Sequence, residues 1–280
     1  MKRCRLHLLV LLLIFSSHLV YAQTINWTEV APGVWKGIIG KPEAYDLLKA
    51  SGAVPNNEAL AKMSETKFPL PQQDITGKIV DGKTALSFPL DRTEQLFGFG
   101  LNFQTVYQRG KILQLHVDNF AGKDNGRTHA PTPFYVSSNG YGVFINAARY
   151  ITVYAGTAVK RDSKNPPEAR DRNLDKNWTA RPYSDAVEIM VPAEGTEIYV
   201  FGGPTPLEAV RRYILFNGGG TLPPRWGLGF TQRVQRLYNA EQVEQEAKDF
   251  EEKGYPLDFI GLEPGWQSKS YPCTFEWDST

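Results

Sequence analysis

Cysteine is nearly absent from this sequence: the 280 residues hold two, Cys4 and Cys273. Cys4 lies in a segment with the marks of an export signal. Lys2, Arg3 and Arg5 make a basic start, and residues 8–15 form an apolar run too short to span a bilayer comfortably. Val20-Tyr21-Ala22 is a small-residue cleavage pattern, so the mature chain is expected to begin at Gln23. Cys273 is then left alone, which excludes an internal disulfide. Cys4 does not sit at the cleavage point, which argues against a lipoprotein anchor. No second apolar run is long enough to cross a membrane. The expected location is therefore secreted or periplasmic, with no membrane partner after cleavage; the alternative for the leader is a membrane anchor.

An excess of charge is also lacking. The formal net charge is +1 from 31 Lys and Arg against 30 Asp and Glu, and loss of the three basic leader residues makes it −2. Such a balance excludes nucleic acid as a partner recognised by charge. There is no phosphate loop, dinucleotide fingerprint or nucleophile elbow. Phe97-Gly98-Phe99-Gly100 lacks the third glycine and the helix that a dinucleotide fingerprint needs. His116 and His129 have no supporting acid pattern, so neither a metal nor any other cofactor is expected.

What is present divides into two grammars. From about Ile25 to Gly203 the chain reads as short strands rich in Val, Ile, Tyr and Phe, at 84–90, 97–101, 133–138, 141–147, 150–156, 186–191 and 197–202. Gly, Asn or Pro separates many of them, the pattern of an antiparallel β-sandwich. Ser138-Asn139-Gly140 reads as a tight hairpin turn, and residues 42–52 as a helix. Residues 160–176 are charged and carry Pro166-Pro167; they read as a solvated loop, with a partner-binding loop as the alternative.

The grammar switches at Thr205-Pro206-Leu207-Glu208, a capping box that opens a helix whose apolar stripe is Leu207, Val210 and Ile214. Gly218-Gly219-Gly220 and Pro223-Pro224 then form a join. Beyond it, 226–231 reads as a strand. Asn239 and Gln242 form a second capping box, over a helix with a Val243, Ala247 and Phe250 stripe closed by Gly254. Residues 256–262 read as another strand. Strand, helix and strand make a βαβ unit, and parallel strands want both faces covered. One such unit cannot close a barrel. The expected organisation is a signal peptide over 1–22, a β-sandwich over 23–217, and over 218–280 a βαβ unit that either leans on the sandwich or, the preferred reading, opens an α/β domain whose remainder is missing.

The second strand ends in Glu263, followed at once by Pro264, Gly265 and Trp266. Strand C-terminal ends are where parallel α/β barrels carry their active groups. A carboxylate there can accept charge-assisted hydrogen bonds from sugar hydroxyls. Trp266, with Phe275 and Trp277, offers flat apolar faces for the C–H side of a sugar ring. The alternative is that Glu263 caps a loop and the aromatics are core.

Several segments together resemble glycoside hydrolase family 31, whose members are mostly α-glucosidases, α-xylosidases and relatives. They are FGFGLNFQTVYQRG (97–110), LQLHVDNF (113–120), PTPFYVSSNGYGVFINAARY (131–150), FGGPTPLEAVRRYILFNGGGTLPPRWGLGF (201–230), YPLDFIGLEPGWQS (255–268) and FEWD (275–278). The resemblance covers about residues 95–280. It implies a galactose-mutarotase-like sandwich followed by the start of a (β/α)8 barrel, and a retaining exo-α-glycosidase working through two carboxylates. In the family the nucleophile follows the fourth barrel strand and the acid/base lies further on, so neither is expected in these residues and the chain alone is expected to be inactive. The resemblance further implies substrate contacts at Glu263, where the family usually has Asp, at Asp118 in a sandwich loop, and at Trp277 in FEWD. Cys273 and the Pro-Gly-Trp sequence at Trp266 depart from the usual glucosidase pattern. The extra methylene of Glu263 pushes the carboxylate about 1.5 Å further into the pocket, which points to an α-galactoside in preference to an α-glucoside or α-xyloside. The competing reading is a stand-alone carbohydrate-binding β-sandwich without hydrolytic activity. Oligomeric state is not legible.

Overall fold

Along residues 83–89, Thr84, Leu86 and Phe88 are buried while Lys83 faces solvent and Ala85 and Ser87 are half-buried. This period-two alternation, the mark of a strand with one covered face, recurs through the computed structural model. The structure describes residues 23–102, 105–117, 127–128, 130–159, 173–174, 183–269 and 274–279. The leader, nearly all of the 160–176 loop, Asp118, His129 and Cys273 lie outside the described residues.

The chain divides into two compact units, Met1–Gly219 and Gly220–Thr280. The first runs β1 (Gln23–Thr24), β2 (Trp27–Ala31), β3 (Val34–Gly40), α1 (Leu47–Ala50), α2 (Asn57–Ala61), β4 (Thr76–Val80), β5 (Lys83–Pro89), β6 (Leu96–Gly100) and β7 (Lys111–Leu115). It continues with β8 (Pro131–Ser137), β9 (Tyr141–Asn146), β10 (Ile151–Thr157), β11 (Tyr183–Val191), β12 (Gly195–Gly202) and α3 (Pro206–Phe216). Two six-stranded sheets result, ordered β1-β4-β5-β11-β10-β7 and β2-β3-β12-β9-β8-β6. The pairings are antiparallel throughout both sheets.

The second sheet is covered on both faces, and its side chains divide strictly. Ile198 and Val200 of β12, Val143 and Ile145 of β9, and Tyr135 of β8 join Leu86, Phe88, Leu113, Val153, Val187 and Ile189 of the first sheet in one apolar cluster. The residues between them, Tyr199, Phe201, Phe144, Phe134 and Val136, join Leu60, Ala209 and Phe216 of the helices in another. Double coverage explains why β12 reads as an unbroken apolar run instead of an alternation. The β8–β9 turn is the predicted hairpin. Gly140 has φ +82°, and a Cβ there would collide with the Gly203 carbonyl oxygen.

Two helical expectations need correction. The helix predicted over 42–52 is only α1, capped by the Asp46 carboxylate on the Leu48 and Lys49 N–H groups. The helix after Thr205 forms as predicted, with the Thr205 hydroxyl accepting the Glu208 N–H at 3.3 Å, but its buried face is not the Leu207, Val210 and Ile214 stripe. Leu207 is 76% exposed, while Ala209, Arg212 and Phe216 are buried. The cause is Arg212, 1% exposed. Its guanidinium donates to the carbonyl oxygens of Pro32 (3.0 Å), Ser64 (2.7 Å) and Gly202. A buried cation needs such partners, and these three carbonyls turn the helix toward its own arginine.

The second unit contains β13 (Thr231–Arg233), α4 (Ala240–Glu252) and β14 (Phe259–Gly261). The strands pair in parallel, Thr231 with Phe259, Gln232 with Ile260 and Arg233 with Gly261. The strand predicted over 226–231 opens instead as a 3-10 turn, Arg225–Leu228. Extended pairing begins only where a clasp closes: the Phe230 N–H donates to the Asp258 carboxylate at 2.8 Å, and the Asp258 N–H donates to the Phe230 carbonyl at 2.9 Å. The second strand is likewise shorter than 256–262, starting past Pro256, which has no N–H to give to a ladder. The capping box at α4 is reciprocal, Gln242 N–H to Asn239 Oδ1 at 2.9 Å and Asn239 N–H to Gln242 Oε1 at 3.0 Å.

Candidate functional site

β14 stops because Pro264 starts a 3-10 turn, Pro264–Trp266. Backbone bonds from the Trp266 N–H to the Glu263 carbonyl (3.1 Å) and from the Gln267 N–H to the Pro264 carbonyl (3.2 Å) close it. Gly265 has to be glycine, since a Cβ would strike the Arg236 carbonyl oxygen. Glu263 occupies the cap position of this turn, yet its side chain makes no capping hydrogen bond. The carboxylate is ion-paired with the guanidinium of Arg233, the last residue of β13. Two adjacent parallel strands thus present opposite charges at the same C-terminal edge. Their side chains are 67% (Arg233) and 29% (Glu263) exposed.

The tryptophans form a separate feature beside this pair. After the turn the chain folds back on itself. The Ser268 N–H donates to the Glu276 carbonyl and the Asp278 N–H to the Trp266 carbonyl, both at 2.9 Å. Gln267 is buried and its side-chain oxygen accepts the Phe275 N–H at 2.8 Å. This cross-bracing sets the Trp266 and Trp277 rings 4.9 Å apart, tilted by 57°. Both line a cavity of about 320 Å3, together with Tyr238, Val243, Glu244 and Asp278 among others. Trp277 is 73% exposed. Glu263 and Phe275 are not among the lining residues. The structure therefore brings Trp266 and Trp277 together and gives Glu263 a different neighbour.

Asp118 and Cys273 lie outside the described residues. His116 and Val117, just before Asp118, line a cavity of about 300 Å3 in the first unit. Its walls include Leu115, Pro133 and Tyr150, with the His116 and Tyr150 rings 4.2 Å apart. Arg149 stands at this cavity, held by Glu43 through an Nε–H to Oε2 bond of 2.8 Å. The hydrogen bond from Arg149, against the opposing effect of burial, holds the Glu43 carboxyl below its usual range. No group of three or more His, Cys, Asp or Glu placed to hold a metal occurs among the described residues.

Sequence reasoning missed Arg233, Gln267 and Tyr238. Arg233 sits in an ordinary strand sequence, Thr-Gln-Arg, and only the parallel register shows what it faces. Gln267 carried no signal at all.

A family profile described as the glycosyl hydrolases family 31 TIM-barrel domain matches residues 220–280. An α-xylosidase of Lactiplantibacillus pentosus is 29% identical over 227 residues, covering 79% of this chain and 26% of the relative. An α-glucosidase of Bacillus thermoamyloliquefaciens is 36% identical over 216 residues, covering 71% of this chain and 24% of the relative. Among solved structures, a dextranase of Flavobacterium johnsoniae in complex with glucose superposes with a TM-score of 0.62 at 17% identity, over 90% of this chain and 32% of that one. The class these relatives share is that of glycoside hydrolases. Residues 220–280 match the barrel-domain model of glycoside hydrolase family 31, and most of the chain is similar to α-glycosidases. The chain spans about a quarter of the length of the curated relatives it matches.

Proposed function

We propose that these residues form the β-sandwich and the first βαβ unit of the (β/α)8 barrel of a retaining exo-α-glycosidase that acts on terminal α-linked sugars. The observation that carries this reading is the edge where β13 and β14 end together, with Arg233 exposed and Glu263 half-buried on it. That edge is where barrel enzymes keep their chemistry, and it falls in the segment matched by the barrel profile.

Retaining glycosidases need two carboxyl groups about 5 Å apart flanking the scissile bond. No acid in residues 220–280 is assigned either role. Glu263 binds substrate hydroxyls, and the Trp266 and Trp277 cavity takes an apolar ring face. The 280 residues by themselves are proposed to lack turnover.

The finer question is the sugar. A galactoside preference rests on the extra methylene of Glu263, and Arg233 supplies a partner that takes up this reach. The named relatives are an α-xylosidase and an α-glucosidase, so an α-xyloside or α-glucoside is the substrate we favour. Export is part of the proposal, and N-terminal sequencing of secreted protein is expected to start at Gln23. The central test is hydrolysis of p-nitrophenyl α-xyloside, α-glucoside and α-galactoside by protein made from the complete reading frame. Release of the α-anomer from one of them is expected. Inactivity on all three, or inversion, defeats the proposal, and a dominant galactoside rate restores the Glu263 argument.

A further inference from the structure

We propose that Arg233 is itself a sugar-binding residue, and that Arg233 and Glu263 together read two neighbouring hydroxyl groups of the terminal sugar. This rests on the glycosidase reading above.

An ionised carboxylate can only accept hydrogen bonds, and a guanidinium can only donate them. A hydroxyl does both. Where the two charged groups touch, as at Arg233 and Glu263, they offer an acceptor beside a donor. Adjacent hydroxyls on a sugar ring are the complement: one donates to Glu263 while its neighbour accepts from Arg233. The guanidinium has five N–H groups, so pairing with one carboxylate oxygen leaves donors for a ligand.

Placement supports a ligand role over a structural one. Ion pairs at this level of exposure contribute little to folding, and this pair joins strands already held by backbone pairing from Thr231 to Gly261. The Glu263 side chain makes no capping bond to the turn that follows it. Both groups stand at the C-terminal edge of the parallel strands, and neither lies within the first unit's core. The pair also fixes where the carboxylate points. A free glutamate would lose side-chain freedom on binding sugar, and Arg233 removes part of that cost beforehand.

The test compares wild type, Arg233→Met and Glu263→Gln, made from the complete reading frame. Substrates are the best aryl α-glycoside and its monodeoxy analogues, each missing one hydroxyl. Arg233→Met is expected to lower kcat/KM on the parent by about 10- to 100-fold, as for loss of a charged hydrogen bond. The wild-type penalty for deleting one particular hydroxyl is expected to vanish in this variant. In Glu263→Gln the penalty for the adjacent hydroxyl should shrink instead. Equal loss across all analogues would make Arg233 a purely positioning residue and overturns the inference, as does no loss at all. Should Arg233→Met fail to fold by circular dichroism, Arg233→Lys carries the same comparison, because it keeps the charge and loses the fork. Wild-type inactivity on every aryl glycoside removes the glycosidase reading itself, an outcome separate from either result for Arg233.

Discussion

The two units differ in how far their sheets are covered within these residues. In the first, β12 lies in the middle of its sheet, and its alternate residues enter two different apolar clusters. In the second, among the described residues, only Val234 and Gln267 are buried. Phe230, Phe259 and Leu262 keep more than a third of their surface exposed although they flank a parallel pair. The difference teaches that local grammar and burial are separable. Capping boxes and parallel register can form a βαβ unit from its own short-range bonds, whereas hydrophobic stability resides where layers stack. Within these residues the first unit holds the dense packing, and the second presents Arg233 and Trp277 to solvent.

The strongest way to break this comparison is to empty the doubly covered layer. Phe201 is fully buried against Phe134, Tyr213 and Phe216. Phe201→Ala is expected to cost about 3–5 kcal/mol, read as a lower denaturant midpoint with unchanged slope. A cost below 1 kcal/mol would mean that the two-cluster division carries little stability. A smaller and more local effect is expected in the other unit. Gly265→Ala forces a Cβ onto the Arg236 carbonyl and should cost about 1–3 kcal/mol. Hydrogen exchange should then quicken around residues 264–268 and stay unchanged in β12. Equal quickening in both units would show them to be one cooperative body.

The smallest effect is acid sensitivity at the edge of the first unit. Burial raises the Glu197 carboxyl, but hydrogen bonds from Lys36, Asn146 and Tyr199 outweigh it and leave Glu197 below its usual range. Asp46 behaves alike: burial opposes, while hydrogen bonds from Asn146 and the N–H groups of Lys49 and Leu48 prevail. Both groups therefore lose protons more readily folded than unfolded. Their contribution is complete above the ordinary carboxylate range of about 4, and disappears as pH falls through the depressed folded values. Asn146→Leu should flatten that decline in melting temperature between about pH 4.5 and 2.5. An unchanged profile would acquit the network.

Much of the architecture was legible from residue order. Strands rich in Val, Ile, Tyr and Phe appear where expected because their alternation matches a covered face. Thr205, Asn239 and the hairpin at Gly140 were legible because capping and turn chemistry act within four residues. The orientation of α3 was not, because hydropathy ranks Arg212 as a surface residue, and the carbonyls that receive it come from Pro32, Ser64 and Gly202. The 3-10 turn at Arg225–Leu228 was missed because its apolar composition suits a strand equally well. At the candidate site, Glu263 and the tryptophans stood out by type and position. Their separation did not, since it depends on Arg233 across the ladder and on backbone bonds between residues 266–268 and 276–278.

Insertion of β12 between β3 and β9 has a consequence for synthesis. A ribosome releases β3 long before β12, so the early strands wait beside an unfilled slot while some hundred and fifty residues follow. Arg212 locks the slot only after β12 has entered it, joining the early carbonyls of Pro32 and Ser64 to the late one of Gly202. A nascent chain halted before residue 195 should therefore be a client for chaperones, and one extended past 217 should resist protease.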